Sequence, residues 1–217
     1  MIKLTYYLDV LSSWCFYGEP NLRRLLDVYG DRIDYEWRIA LVTEHPPQGF
    51  SRQQYDWFYR RSGSISGTHL NSAWRTKEYS STLVPNLAAE AARELGFSDD
   101  RVRLALARAA LVEGQPVLEP DTAARVAAAA SGVDQSKITE FMNDPRMRER
   151  IERTSAEFAA LGVDQRPAFV LRSSIGDTAI FSGVWLFEPL NATVHAMLSD
   201  ADKYAHFEAN NPAFPSA

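Results

Sequence analysis

The chain has 217 residues, 46% hydrophobic and 12% aromatic, with a net charge of -5 and a pI near 5.4. That is enough apolar material for one large domain and excludes a disordered chain, and no basic face is implied, so nucleic acid is not expected as a partner. No apolar run approaches the ~20 residues that cross a bilayer, and the start, Met1-Ile2-Lys3-Leu4-Thr5, lacks the pattern of a signal peptide, so no membrane partner and a cytoplasmic location are expected.

Residues 4–10, Leu-Thr-Tyr-Tyr-Leu-Asp-Val, are rich in β-branched and aromatic types and predict a strand. A helix is predicted over 16–29, where Leu22, Leu25, Leu26 and Tyr29 recur at helical spacing and Gly30 supplies the stop. Ser12 and Ser13 suit its N-cap, because a serine hydroxyl accepts the orphan amides of a first turn. A second strand is predicted over 33–42. Strand, helix and strand in so short a length make a βαβ unit with parallel strands.

From 45 to 162 the signals are helical. Pro46, Pro47 and Gly49 mark a turn, 53–61 a short aromatic helix, and 62–67 a flexible loop. Further helices are predicted over 85–95, 101–113, 120–130, 136–143 and 145–161, with Asp99 or Asp100 capping the second of these. Residues 146–153 alternate in charge and read as a solvated face. Strands return at 168–172 and 179–181 around a hairpin turn at 173–177. A last helix over 189–200 places Leu190, Val194, Met197 and Leu198 on one side, and the tail from 207 onward reads as irregular. This order, βαβ, helical block, ββα, describes an α/β thioredoxin fold with a large all-helical insertion. Residues 1–44 and 163–217 form the thioredoxin-fold domain, and 45–162 the inserted one.

That topology brings the start of the first helix and the loop before the third strand together at carboxyl strand ends, where open α/β sheets bind ligands. The first candidate is therefore Asp9-Val10-Leu11-Ser12-Ser13-Trp14-Cys15-Phe16-Tyr17-Gly18. A helix N-terminus stabilises a thiolate. Ser12, at the exposed start, either donates a hydrogen bond to such a sulfur or simply caps the helix. Cys15 is the only cysteine in the sequence, so an intramolecular disulfide is impossible. It lies one turn further in, either as a buried apolar residue or as a lone reactive thiol. The second candidate is Gln165-Arg166-Pro167-Ala168. Pro167 is either cis, turning the Arg166 backbone towards an extended ligand, or an ordinary trans proline opening an edge strand. Arg166 either anchors a substrate carboxylate or pairs with Asp164 or another acid. Tyr55, Trp57, Phe58, Tyr59 and Trp74 either line an aromatic substrate pocket or pack the insertion. His45, His69, His195 and His206 lack metal-ligand spacing, and no metal is expected.

On these residues the chain resembles the DsbA-type thioredoxin-fold group, which includes FrnE-like proteins, kappa-class glutathione transferases and 2-hydroxychromene-2-carboxylate isomerases. The resemblance covers nearly the whole chain in element order, but its specific motifs are short. The FrnE-like pattern Asp-x-x-Cys-Pro-Trp-Cys-Tyr-x-Gly, laid on Trp14-Cys15, puts Ser12 where the attacking cysteine belongs and Cys15 where the resolving one belongs. The kappa-class pattern Asp-Val-Leu-Ser-Pro-Tyr-Ser-x-x-Gly matches Asp9-Val10-Leu11-Ser12 in order, and puts Ser12 on the serine that activates glutathione. Ser13 replaces the usual proline. The acidic Ser-Asp pair that grips the γ-glutamyl end is here Ser182-Gly183, without an acid; Glu188 is a candidate substitute. Arg166 is larger and more charged than the Val or Thr common before the proline.

The resemblance implies a glutathione-dependent transferase or isomerase, with Ser12 and Cys15 as catalytic candidates. Ser13, Trp14, Arg166, Pro167, Ser182 and Gly183 are the binding candidates, and the partners are a small-molecule thiol with an apolar electrophile or a peptide. A thiol–disulfide oxidoreductase acting through Cys15 and a non-catalytic binder of a peptide or small acid are the alternatives. Relatives of this kind are often dimers, so a homodimer is a further implication.

Overall fold

The computed structural model describes residues 1–42, 52–75 and 82–211. The turn expected at Pro46, Pro47 and Gly49, together with His45 and the last six residues of the tail, lies outside them. Among the described residues four strands form one mixed sheet in the order β2-β1-β3-β4, from β1 (Ile2–Leu8), β2 (Ile33–Ile39), β3 (Ala168–Ser173) and β4 (Thr178–Ser182). β1 runs parallel to β2 and antiparallel to β3, which is antiparallel to β4. Helix α1 (Ser13–Tyr29) joins β1 to β2 and helix α8 (Phe187–Asn210) follows β4. Between β2 and β3 run α2 (Arg52–Ser66), α3 (Leu83–Glu94), α4 (Arg101–Leu111), α5 (Pro120–Ser131), α6 (Gln135–Met142) and α7 (Pro145–Ala160). This is the expected α/β arrangement with a helical insertion.

β1 lies inside the sheet, between β2 and β3. Every residue of it but Lys3 is buried, so it carries the near-continuous apolar run of a strand covered on both faces. Tyr6 sits opposite Phe169 in the register and their rings stack at 4.9 Å, a pair contributing roughly 0.5–1.5 kcal/mol beyond its buried area. In the helical block, small side chains bring backbones close: Ala88, Ala91 and Ala92 of α3, Ala110 of α4 and Ala123 and Ala127 of α5 are all fully enclosed.

A buried charged network ties this block to α1. Arg103, 2% exposed, donates to Glu19 at 2.5 and 3.0 Å and to Asp100 at 2.7 Å. Tyr6 joins it through its hydroxyl, which donates to Glu19 at 3.1 Å and lies 3.4 Å from the carbonyl of Cys15. Removing one member of such a buried pair costs about 3–5 kcal/mol, because the partner charge is stranded.

Several boundaries differ from the sequence reading. β2 stops at Ile39 because the next backbone groups serve side chains: the carbonyls of Ala40 and Leu41 accept from Arg166, Leu41 N donates to Ser155 Oγ, and Val42 N to Asp9. The expected loop at 62–67 is the last turn of α2, held by buried Ser62, which shares a 3.2 Å hydrogen bond with Tyr17 Oη, and ended by Gly67 at φ +75. Asp100 is the N-cap residue of α4, its carbonyl accepting the Leu104 amide at 2.9 Å, but its side chain makes no capping bond; Asp99 accepts the Arg101 amide at 3.1 Å while the Asp100 carboxylate serves Arg103. On α7 the expected solvated face is partly an interhelical seam, since Arg150 pairs with Glu90 and Glu94 of α3. α8 continues ten residues past the expected stop at 200. Its apolar stripe ends there, but helix-favouring residues and i,i+4 bonds such as Asn210 Nδ2 to the His206 carbonyl, 2.7 Å, carry it on in solvent.

Candidate functional site

The start of α1 is built by Asp9 and Ser12. Ser12, at the N-cap in extended conformation, accepts the Cys15 amide on Oγ at 3.3 Å and the Phe16 amide on its carbonyl at 3.0 Å. Its own amide donates to the Asp9 carbonyl at 3.0 Å. The amides of Ser13 and Trp14 are then the ones left with no acceptor among the described residues, at the positive end of a 17-residue helix. Ser12 is thus a cap, and its O–H remains a donor.

Asp9 fixes the approach to that turn. It is 2% exposed, and its carboxylate accepts from Leu11 N at 2.9 Å, Val42 N at 3.0 Å and Asn86 Nδ2 at 3.3 Å. Burial nonetheless pushes its carboxyl above the ordinary range. Asn86, fully buried on α3, also accepts the Val10 amide at 3.1 Å and donates to the Thr82 carbonyl at 3.0 Å. Sequence reasoning missed Asn86. An asparagine inside a helix is a weak signal, and its polarity at an otherwise apolar position of 85–95 was the available clue.

A cavity of about 400 Å³ opens at this helix start, within the size range of small-molecule sites. Its polar lining includes Asp9, Ser12, Ser13, Asp164, Gln165 and Arg166. Trp14 of α1, Tyr55, Phe58 and Tyr59 of α2 and Trp74 supply its aromatic lining. Trp74 Nε1 donates to Tyr59 Oη at 3.1 Å, and Tyr55 meets the Trp74 ring edge-on at 6.1 Å. Trp57 does not line the cavity and is 54% exposed. A second hollow of about 510 Å³ lies between Tyr29, Arg32 and the outer face of α8, away from Ser12.

Cys15 sits beneath this floor, 3% exposed. Burial pushes its thiol up to about 11, outweighing the thiolate-favouring hydrogen bonds of Ser12, Asp9 and Tyr6. It is a neutral thiol at pH 7, lacking the depressed pKa and access of a reactive cysteine.

The Arg166–Pro167 peptide bond is cis. The Arg166 guanidinium donates to the carbonyls of Ala40 and Leu41, both at 2.7 Å, and of Asp164 at 3.0 Å, and covers the Phe158 ring at 4.2 Å. It makes no ion pair with Asp164; the contact is to that residue's backbone. Ser182 and Gly183 do not line the cavity. Ser182 Oγ bridges the amide and carbonyl of Gln165, both at 3.2 Å, and Gly183 N donates to the Pro167 carbonyl at 2.9 Å. They brace the loop that carries Arg166. Glu188, exposed in the first turn of α8, is likewise outside the cavity lining. Ser12, Ser13, Trp14 and Arg166 therefore share one cavity, Cys15 lies below it, and Pro167, Ser182 and Gly183 lie behind the loop.

Among the described residues no group of three His, Cys, Asp or Glu side chains could hold a metal ion, and no helix is long and apolar enough to cross a membrane.

The family model of the DSBA-like thioredoxin domain matches residues 3–192. Comparison with curated protein sequences gave no match. Among solved structures, the cytosolic disulfide reductase DsbM from Pseudomonas aeruginosa superposes with a TM-score of 0.72 at 19% identity, covering 93% of this chain and 99% of that one. The same reductase solved with GSH gives 0.69 at 19% identity and the same coverage. A 2-hydroxychromene-2-carboxylate isomerase gives 0.58 at 17% identity, over 94% of this chain and 98% of that one. Likeness at such identities is likeness of fold.

Proposed function

The chain belongs to the DSBA-like thioredoxin domain family, and on that premise we propose that it is a glutathione-dependent transferase or isomerase working from Ser12. The observation that carries this reading is the position of Ser12: at the start of α1, in a cavity lined by aromatic side chains, while the one thiol of the chain is buried outside its lining.

Bound glutathione supplies the nucleophilic sulfur this chain lacks. The polar lining of the cavity suits it, with the Ser13 and Trp14 amides and the Ser12 hydroxyl as donors at the start of α1. The Ser12 O–H turns to the ligand in preference to Cys15, because a neutral thiol is a weak acceptor and an anionic sulfur a strong one. A hydrogen bond to a charged group contributes about 1.5–3 kcal/mol, so the ligand is held as thiolate near neutral pH. The backbone of Arg166, before its cis proline, pairs with the cysteinyl backbone of the ligand. The aromatic lining receives an apolar electrophile and keeps water from the sulfur.

Exchange through Cys15 is disfavoured by its burial and raised pKa, since exchange requires an accessible thiolate. A non-catalytic binder is separated from the favoured reading by Ser12→Ala, which a pure binder would barely notice. Calorimetric titration with glutathione tests the proposal. Wild type should bind at millimolar ligand or below, and Ser12→Ala should weaken binding about tenfold, the equivalent of one charge-assisted hydrogen bond. Absence of binding at millimolar glutathione removes the thiol from the scheme.

A further inference from the structure

The resemblance places an acidic Ser-Asp pair after the fourth strand to grip the γ-glutamyl end of glutathione, and this chain has Ser182-Gly183 there. The structure disfavours any side chain at that position: Gly183 has φ +71, and a Cβ on it would lie 3.1 Å from Gln165 Cβ. If the thiol ligand carries an α-amino-acid head, its charges must be met elsewhere in the cavity.

Among the described residues, Asp9 and Asp164 are the acids that line the cavity, and of these Asp164 is open to a ligand. The Asp9 carboxylate is buried and already accepts from Leu11, Val42 and Asn86. The Asp164 carboxylate is exposed and makes no hydrogen bond or ion pair among the described residues. Its backbone, in contrast, is fixed, because the Arg166 guanidinium donates to the Asp164 carbonyl at 3.0 Å. Arg166 uses three of its five N–H groups on the carbonyls of Ala40, Leu41 and Asp164. Two N–H groups remain on a side chain that lines the same cavity. Asp164 and Arg166 carry opposite charges and line the same cavity, yet they form no ion pair. A monoanion placed between them is repelled by Asp164 and a monocation by Arg166. A ligand group carrying both charges satisfies both.

We propose that Asp164 and Arg166 together recognise an α-amino-acid zwitterion, the γ-glutamyl head of the thiol ligand, with Asp164 taking the ammonium and Arg166 the carboxylate. The assignment rests on the glutathione reading and names the residues that would discriminate that thiol from simpler ones.

The test is titration of three thiols into wild type and Asp164→Asn: glutathione, glutaryl-cysteinyl-glycine, which lacks the ammonium, and γ-aminobutyryl-cysteinyl-glycine, which lacks the α-carboxylate. Wild type should bind glutathione about three- to tenfold more tightly than either truncated thiol, the range of a partly exposed charge contact. Asp164→Asn should lose that factor for glutathione and for the aminobutyryl thiol, and lose nothing for the glutaryl thiol. Thermal unfolding checks that the exposed substitution leaves the fold intact. Equal losses for all three thiols, or no loss for glutathione, overturn the assignment while the glutathione reading stands. Failure of wild type to bind any of the three defeats that reading first, and the assignment with it.

Discussion

The side-chain amide of Asn86 donates to Asp9 Oδ1 at 3.3 Å, and its carbonyl accepts the Val10 amide at 3.1 Å. A helix of the insertion therefore holds the turn from which Ser12 projects. Replacing Asn86 with Leu strands the Val10 amide and deprives Asp9 of a donor in a fully buried place. A loss of about 1–3 kcal/mol is expected in urea unfolding, together with weaker glutathione binding as the turn loosens.

The raised carboxyl of Asp9 has a defined pH signature. Its folded-state pKa lies above the unfolded value of 3.8, so the native state holds this proton more tightly. The stability that protonated Asp9 contributes is present below 3.8 and is lost as pH rises through the folded value. Urea unfolding of wild type and Asp9→Asn, compared at successive pH values, checks this. The wild-type advantage should shrink from about pH 4 upward and then level off.

Cys15 should be silent to thiol reagents. Native protein at pH 8 is expected to resist an aromatic disulfide reagent and to react fully once unfolded. Its thiol titrates near 11 in the fold against 9.0 ordinarily. Here too the native state retains the proton, so stability falls as pH rises between those values, by roughly 2–3 kcal/mol. Cys15→Ala should abolish that alkaline limb and leave glutathione affinity unchanged, which calorimetry can read.

Two glycines near the site should respond oppositely to alanine. A Cβ on Gly18, inside α1, would meet Trp185 Cβ at 3.5 Å and Pro167 Cγ at 3.7 Å, which are ordinary contacts. Gly18→Ala should therefore be neutral or stabilising, by up to about 1 kcal/mol. Gly183 combines φ +71 with a 3.1 Å approach to Gln165, and Gly183→Ala should cost about 1–2 kcal/mol or more. Thermal denaturation of the pair checks both signs.

What the sequence disclosed follows from how locally each feature is encoded. β1 and α1 were readable because strand composition, serine cap and glycine stop all lie within one short segment. Ser12, Ser13 and Trp14 could be placed at the cavity for the same reason. The aromatic run at 55–59 left a pocket lining and packing of the insertion both open, and it could not show that Trp57 stands outside the cavity lining. The rest is long-range. Nothing near Arg166 says that its guanidinium reaches the carbonyls of Ala40 and Leu41, more than a hundred residues earlier, and ends β2 there. Asn86 acquires its meaning only when α3 packs on the turn after β1. The extra length of α8 was hidden for a different reason: an exposed helix has no apolar stripe to betray it.

The most direct test of the Ser12 assignment is the pKa of glutathione bound to Cys15→Ala protein, followed by the ultraviolet absorbance of the thiolate. The bound thiol should titrate well below the ordinary value of about 8.5, and adding Ser12→Ala should raise it by about 1–2 units. A bound thiol that titrates as it does in free solution, with or without the Ser12 hydroxyl, would contradict the account.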